Sequence, residues 1–344
     1  MKHNFLCSMV VCMCLLLSPL WAGCTPSSDT NKTSIVCTIY PEYDWVTNII
    51  GEKQENFDIT LLCDNGTDMH SYQPSFADIA KITNADLFIY VGGESDNWVK
   101  KALKNSTNPK MQIINLLDVL GEKAKKEEIQ EGMQVEHEHS DEEQHSETEI
   151  DAEHHSEAEG ETEIEYDEHV WLSLKNAKTF VSAILAALTQ LDETNASIYQ
   201  TKAQNYIQQL DTLDKQYSVF TSTASKNTLI FGDRFPFRYL IEDYNLKYYA
   251  AFSGCSSETE ASFDTIWYLA NKINELNIQV ILQLETTIKQ GNKMTIAETI
   301  KENTKYKDQK ILTIDSMQNT TTSSNKTYLS VMASNLNIIK QALN

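Results

Sequence analysis

Cysteine is scarce in this chain, and its placement excludes a disulfide-stapled fold. Only seven cysteines occur among 344 residues, and three of them lie within the first 23. Four remain, too few and too scattered for a disulfide framework: Cys24, Cys37, Cys63 and Cys255. Cys37 and Cys63 fall in neighbouring predicted strands, where either a bridge or two free thiols would fit. We favour buried thiols, because cysteine is often simply a small core residue.

Clusters of basic residues are also missing, which excludes an ordinary nucleic-acid-binding surface. The chain has 28 Lys and Arg against 49 Asp and Glu, for a formal net charge of −21. Between Glu127 and Glu168 stand sixteen Glu and three Asp with no Lys or Arg, and removing these nineteen charges leaves −2. The folded part is therefore nearly neutral, and nothing in it predicts phosphate binding, which needs clustered Lys and Arg.

Two hydrolase motifs are absent as well. The chain contains no HExxH, which would mark a zinc protease, and no GxSxG, which would mark a nucleophilic serine. A secreted zinc-dependent hydrolase would need an open coordination position and a general base beside the metal. We therefore expect a protein that is not an enzyme.

The amino terminus carries an apolar run, "FLCSMVVCMCLLLSPL", between Lys2-His3 and "WAGC". The run is shorter than the roughly 20 residues that a membrane-spanning helix needs, and it is typical of a secretory signal peptide, predicted here over residues 1–23. Cys24 follows the small pair Ala22-Gly23, as the lipid-modified cysteine of bacterial lipoproteins does. We expect a lipoprotein anchored to the outside of the cell membrane, with residues 24–33 as a polar tether; an ordinary secreted protein is the alternative.

Strands alternate with helices from Ser34 onward, which predicts parallel sheets covered by helices. The predicted strands of a first lobe, residues 34–192, are "SIVCTIY", "FDITLLC", "DLFIYVG" and "MQIINLL". Those of a second lobe, residues 225–344, are "NTLIFGD", "LKYYAAFSG", "IQVILQLE" and "KILTID". A helix is predicted to begin near Arg234, directly after the first strand of the second lobe.

One long helix is predicted between the lobes, over residues 193–224. Its apolar positions advance in alternating steps of three and four, which makes one continuous stripe: Ala196, Tyr199, Ala203, Tyr206, Leu210, Leu213, Tyr217 and Phe220. At 1.5 Å per residue it would run about 48 Å and could cross both lobes. A helical hairpin and a coiled-coil partner site are the alternatives. The predicted fold class is α/β, with two Rossmann-like lobes joined by this helix.

The segment from about 123 to 167 interrupts the α/β pattern. It is acidic, poor in aromatic residues and rich in histidine, a composition that predicts a disordered insertion. Its five histidines stand among carboxylates and fit either a weak local metal trap or a plain solvated spacer: His137, His139, His145, His154 and His155.

Outside the signal peptide and the acidic segment, the chain has only two histidines, His70 and His169. Each stands at a boundary between predicted elements, and His70 follows a strand of a parallel sheet, where binding crevices open. A lone boundary histidine is usually a surface residue. Two of them in a chain with a histidine-rich segment favour a metal site, because imidazole is a common ligand of zinc and similar ions.

The stretch "GTDMHSYQPSFADIAKITNADLFIYVG" resembles the first ligand segment of the solute-binding lipoproteins of zinc- and manganese-type ABC importers. In that segment an Asp precedes the ligand histidine by two places and a Tyr follows it, as around His70. Pro74 and Asp78 keep the pattern. The stretch "DEHVWLSLKNA" resembles the second ligand segment, with His169 in the ligand position.

The resemblance implies two further ligands from the second lobe, where this sequence departs from the family. The family's third histidine falls on Gly232, so the neighbouring Asp233 is the predicted substitute, with capping of the next helix as its alternative role. Glu285, at the end of a late strand, matches the last, acidic ligand. Cys255 also lies just past a strand end and is a further candidate.

The resemblance implies that the protein captures Zn²⁺, with Mn²⁺ as a second candidate, between its lobes. It would then deliver the ion to an ABC permease in the membrane. The alternatives are a zinc hydrolase, a binding protein for another solute such as an iron chelate, and an adhesin in which the metal is structural.

Overall fold

The structure is a computed structural model that describes residues 32–134, 165–256, 260–287 and 291–344. The chain from Lys32 to Asn344 forms one compact unit. No helix within the described residues combines the length and the apolar character that crossing a membrane requires. The predicted signal peptide, the predicted tether as far as Asn31 and the five histidines of the acidic segment lie outside the described residues.

The first lobe contains a four-stranded parallel sheet. Its strands are β1 (Thr33–Cys37), β2 (Phe57–Leu61), β3 (Leu87–Tyr90) and β4 (Gln112–Asn115), in the order β2-β1-β3-β4. Its helices are α1 (Tyr40–Ile50), α2 (Phe76–Asn84), α3 (Val99–Leu103), α4 (Leu116–Leu120) and α5 (Leu174–Leu191). Because the order reverses between β1 and β3, a crevice is expected outside the carboxyl ends of these strands.

A 28-residue helix, α6 (Ala196–Thr223), follows α5. Its buried residues are six of the eight predicted stripe positions: Tyr199, Ala203, Tyr206, Leu210, Leu213 and Tyr217. The Tyr206 hydroxyl donates to Asp44 of α1 at 2.9 Å, whereas the Tyr217 hydroxyl donates to the carbonyl of Met332 in the last helix of the chain at 2.6 Å. Different parts of α6 therefore contact different lobes, as the spanning-helix prediction requires.

The second lobe repeats the layout of the first. Its strands are β5 (Thr228–Phe235), β6 (Lys247–Ser253), β7 (Val280–Leu284) and β8 (Lys310–Ile314), parallel and in the order β6-β5-β7-β8. Its helices are α7 (Arg238–Asp243), α8 (Phe263–Leu276), α9 (Ile296–Glu302) and α10 (Tyr328–Leu343). The predicted class, α/β with two parallel sheets and one long helix, is confirmed.

Two local predictions have different outcomes. Cys37 and Cys63 are free and buried, as favoured from the sequence. The predicted helix start near Arg234 is wrong, because β5 continues through a register shift to Phe235 and α7 begins only at Arg238. Pro236 explains the difference, since a residue that precedes proline is disfavoured in the helical conformation.

Both ends of the predicted acidic insertion belong to the described fold. Lys126 and Tyr166 form an antiparallel bridge, and the backbone NH of Gln134 donates to the carbonyl of Ala251 in β6 at 2.8 Å. The described part of the chain thus extends to residue 134 and resumes at residue 165. Asp167, the last residue of the predicted insertion, is buried at only 4% exposure.

The segment after Asp167 is hydrogen-bonded to residues of the second lobe. The Trp171 indole donates to the carbonyl of Ser316 at 2.9 Å, and the Tyr328 hydroxyl donates to the carbonyl of Trp171 at 2.7 Å. Burying an indole or phenol is favourable only when its polar atom finds a partner. These two bonds hold the backbone beside His169 against second-lobe residues.

Candidate metal centre

His70 stands on a short turn of 3-10 helix, Met69–Ser71, beyond the carboxyl end of β2. The turn forms here because the Asp68 carboxylate accepts a hydrogen bond from the backbone NH of His70 at 3.1 Å, as an N-cap does. Met69 is buried in the core, so the adjacent His70 projects toward the crevice with its side chain 11% exposed.

Two oxygen atoms from other segments lie near the Nδ1 atom of His70. Ser95 Oγ lies 2.8 Å from it and Glu168 Oε2 lies 3.5 Å from it. Burial raises the pKa of Glu168. Burial, and then the neighbouring His169, lower the pKa of His70 well below its usual value, so the imidazole stays neutral near pH 7. Neutral imidazole is the form that binds metal.

His169 is completely buried, at 0% exposure. The Asp167 carboxylate lies 3.0 Å from its Nδ1 atom and also accepts its backbone NH at 2.9 Å. Because the carboxylate is an acceptor, Nδ1 is assigned the proton and Nε2 keeps its lone pair. A carboxylate behind a ligand histidine is the usual arrangement in metal sites, where it fixes the ring and its tautomer.

The two imidazoles meet although 99 residues separate them in the chain. His70 Nε2 lies 3.0 Å from His169 Nε2. Asp167 accepts the proton on Nδ1 of His169, and the Ser95 hydroxyl is able to accept the proton on Nδ1 of His70. In that arrangement both Nε2 lone pairs are directed at the same region. The side-chain amide of Gln318 donates to His169 Nε2 at 3.0 Å. Two facing lone pairs repel each other without a cation, and a bridging metal ion would relieve that repulsion.

Cys255 completes the cluster from the second lobe. Among the described residues, the group whose donor atoms could hold one ion is His70, His169 and Cys255, with all three atoms within 4.8 Å of one another. A cavity of about 870 Å³ is lined by His70 and Cys255 and gives a route to both donors. Burial and the Glu127 carboxylate raise the pKa of the thiol, and a coordinated dication would reverse that effect.

The two predicted carboxylate ligands are placed differently. Asp233 accepts hydrogen bonds from the backbone NH groups of Arg234 and Leu284, at 2.8 and 3.0 Å, and from the hydroxyl of Thr287. Glu285 accepts from the backbone NH and the hydroxyl of Ser316, at 2.8 and 2.7 Å. Neither belongs to the three-residue group, so both stay predictions as ligands.

Glu285 is nevertheless connected to the imidazoles through a series of close polar contacts. The Ser316 hydroxyl that bonds Glu285 also lies 2.9 Å from Gln318 Oε1, and the amide of Gln318 reaches His169. Burial and the neighbouring Asp315 raise the pKa of Glu285. The arrangement is thus a chain of polar groups from a buried carboxyl to the predicted ligand His169.

Sequence reasoning missed the residues that orient the histidines. Asp167 and Glu168 stand beside His169 in the quoted "DEHVWLS", and their adjacency was the available signal. No sequence signal pointed to Ser95 or Gln318, because they lie 25 and 149 residues from the histidines that they contact.

Replacing Asp167 by alanine should weaken zinc binding by about 10–100-fold, the usual effect of losing an outer carboxylate behind a ligand histidine. The imidazole of His169 would lose both its orientation and its preferred tautomer. Competition against a zinc-binding dye measures the change. Asp58→Ala, at an exposed position on β2, is the matched control and should bind zinc like the native protein. An unchanged Kd in Asp167→Ala would contradict the positioning role.

Comparison with known proteins relates this chain to zinc-uptake proteins. The sequence pattern of one family, described as zinc-uptake complex component A, periplasmic (ZnuA), matches residues 35–342. The zinc-binding lipoprotein AdcA of Streptococcus pneumoniae is 29% identical over 311 residues, which cover 90% of this chain and 56% of AdcA. The high-affinity zinc uptake system protein ZnuA of Bacillus subtilis is 28% identical over 341 residues, covering 97% of this chain and 96% of that protein.

A solved structure supports the same relation. The Zn(II)-bound ZnuA-like domain of Streptococcus pneumoniae AdcA matches with a TM-score of 0.64 at 26% identity, covering 91% of this chain and 99% of that domain. The chain therefore spans about half the length of AdcA, but nearly all of its ZnuA-like domain and of the Bacillus protein. Since the family pattern covers almost the whole folded unit, this chain belongs to the ZnuA family, the periplasmic component A of zinc-uptake complexes.

Proposed function

We propose that this protein is the extracytoplasmic substrate-binding component of a metal ABC importer, which captures Zn²⁺ between its two lobes and delivers it to a membrane permease. The observation that carries the proposal is the 3.0 Å approach of His70 Nε2 and His169 Nε2, with the Ser95 hydroxyl beside Nδ1 of His70 and the Asp167 carboxylate beside Nδ1 of His169. The related AdcA and ZnuA proteins, named for zinc binding and zinc uptake, support the choice of ion.

The proposed ligands from the first lobe are His70 and His169. Of the two predicted carboxylates, Glu285 fits better, because it is already linked to His169 through Ser316 and Gln318. A dication nearby would favour its ionised form. Asp233, in contrast, already accepts two hydrogen bonds at the end of β7, from Leu284 and Thr287, and a third from the backbone NH of Arg234. Imidazole and carboxylate suit four-coordinate Zn²⁺ at about 2.0–2.2 Å, and a second carboxylate would make the site more tolerant of Mn²⁺.

The contact between the Gln318 amide and His169 would differ between the zinc-bound and the zinc-free protein, which a permease could use to distinguish them. The amide donates to the His169 lone pair that zinc would occupy, so ion binding must displace it. Its Oε1 atom lies 2.9 Å from the Ser316 hydroxyl, which in turn lies 2.7 Å from Glu285. Displacement of the amide therefore changes contacts across the lobe boundary. Because α6 is anchored to both lobes, these are expected to be small local movements rather than wide hinge opening.

The family is a transport component and not a class of enzyme. We propose accordingly that the bound zinc takes part in no catalysis, and that ester and peptide substrates are not hydrolysed. We propose further that residues 1–23 are removed as a signal peptide and that lipid on Cys24 anchors the protein to the outer face of the cell membrane. The proposed tether begins at Cys24 and ends before β1, which starts at Thr33. A mass spectrum of the mature amino terminus tests the anchor.

Calorimetric titration of zinc into the metal-free protein should show one tight site per chain. A variant lacking residues 135–164, and with them all five histidines of the acidic segment, should keep that site unchanged. The deletion stops short of residues 165–167 because Asp167 contacts His169. Loss of the tight site in the deletion variant would show that its ligands come from the acidic segment, and absence of any tight site in the native protein would refute the proposed function.

A further inference from the structure

The second lobe cannot supply a histidine at the position where the resemblance places the third ligand. Gly232 occupies that position in β5, and a Cβ atom built on it would lie 2.6 Å from Cα of Ala297 and 2.8 Å from its Cβ. The obstacle is helix α9, whose backbone packs directly against the strand. Any side chain at 232 would force strand and helix apart, so a donor from this lobe has to come from another segment.

Cys255 lies two residues beyond β6, the strand that pairs with β5, and therefore at the same edge of the sheet. Its approach to the histidines depends on Gly254. A Cβ atom at Gly254 would lie 2.8 Å from His169 Cε1 and 3.0 Å from His169 Nδ1. Because Gly254 has no side chain, its backbone packs directly against the His169 ring. The next residue, Cys255, therefore lies within 4.8 Å of both histidine donor atoms.

The two carboxylate candidates in this lobe already accept hydrogen bonds from other groups. Asp233 holds the end of β7 through Leu284 and Thr287, and Glu285 holds Ser316. A sulfur ligand also differs chemically from both carboxylates. Thiolate binds Zn²⁺ at about 2.3 Å, and soft thiolate ligands select zinc, whereas carboxylate-rich sites suit manganese.

We propose, on the basis of the proposed function, that Cys255 is a thiolate ligand of the transported ion, replacing the histidine that Gly232 cannot carry. As the metal–sulfur bond forms, the thiol proton leaves to solvent. Two imidazoles and one thiolate then make a site that prefers Zn²⁺ to Mn²⁺.

Cobalt substitution in the full-length protein tests the ligand directly. Co²⁺ bound to the native protein should show a sulfur-to-cobalt charge-transfer band in the near ultraviolet. Cys255→Ser should lose the band and should bind zinc at least about 10-fold more weakly, since losing even an outer-sphere partner costs that much. Cys63→Ala, which removes a buried thiol outside the cluster, is the matched control and should keep both the band and the affinity.

The outcomes separate this inference from the proposed function. A native protein that binds one Co²⁺ tightly without the charge-transfer band would overturn the Cys255 ligand and leave the transport assignment standing. Retention of zinc affinity and of the preference over Mn²⁺ in Cys255→Ser would do the same. A native protein that binds neither ion would refute the proposed function itself. The native spectrum decides the question even where Cys255→Ser fails to fold.

Discussion

Replacing His169 by alanine should abolish tight zinc binding. Apparent free energies for zinc in four-ligand protein sites are about 10–16 kcal/mol, so one ligand accounts for roughly a quarter, about 3 kcal/mol, or a loss of more than a hundredfold in affinity. His169 should reach or exceed that value, because its ring is completely buried, is held by Asp167 and directs its Nε2 atom at His70.

Thermal unfolding measured with and without zinc gives a second readout of the His169→Ala variant. A ligand present about a thousandfold above its Kd stabilises the folded protein by about 4 kcal/mol, which raises Tm by several degrees. The native protein should show that rise and lose it when a chelator is added. The variant should show none, whatever its own Tm.

Tyr206→Phe is the control for damage to the fold. It removes the hydrogen bond between α6 and Asp44, which is worth about 0.5–1.5 kcal/mol. It does not touch the group formed by His70, His169 and Cys255. We expect a lower Tm with a normal zinc-induced rise. A His169→Ala protein whose zinc affinity lies within tenfold of native would remove the main support for the ligand assignment.

Replacing Gly254 by alanine should have the second largest effect. The added methyl would lie 2.8 Å from His169 Cε1 and 3.0 Å from the carbonyl oxygen of Phe235. The carbonyl belongs to strand β5 and cannot yield easily, so the imidazole has to move. Overpacking of this kind costs about 1–3 kcal/mol of stability. Displacement of the ring should lower zinc affinity by at least about 10–100-fold, the range for mispositioned metal ligands.

Gly121→Ala is the control that separates the loss of stability from the loss of zinc affinity in Gly254→Ala. Gly121 has a φ of +53° with no atom within 4 Å of a built Cβ, so alanine there strains the backbone without touching a neighbour. The strain costs about 1–3 kcal/mol, comparable to the steric cost at Gly254. Zinc titration should give native affinity for Gly121→Ala and weakened affinity for Gly254→Ala. Equal affinities in the two variants would show that Gly254 does not position His169.

Much of the fold could be predicted because its determinants are local. Alternating apolar strands and amphipathic helices specified two α/β lobes, and the stripe from Tyr199 to Tyr217 specified one helix long enough to serve both. His70 and His169 were recognisable because they are the only histidines outside the signal peptide and the acidic segment, and because each stands at an element boundary. The end of β5 was missed, since the turn at Pro236 was read as a helix.

The sequence by itself determined the two lobes, the linking helix and the two histidines, since periodicity and motif spacing are properties of short stretches of chain. Only the tertiary structure decided which second-lobe groups meet those histidines. That choice depends on the close packing of Gly232 against Ala297 and of Gly254 against His169, where an added Cβ atom would lie within 2.6 and 2.8 Å of the neighbour. It depends also on which carboxylates are already hydrogen-bonded. Such distances arise from the packing of segments far apart in the chain, and no short stretch of sequence encodes them.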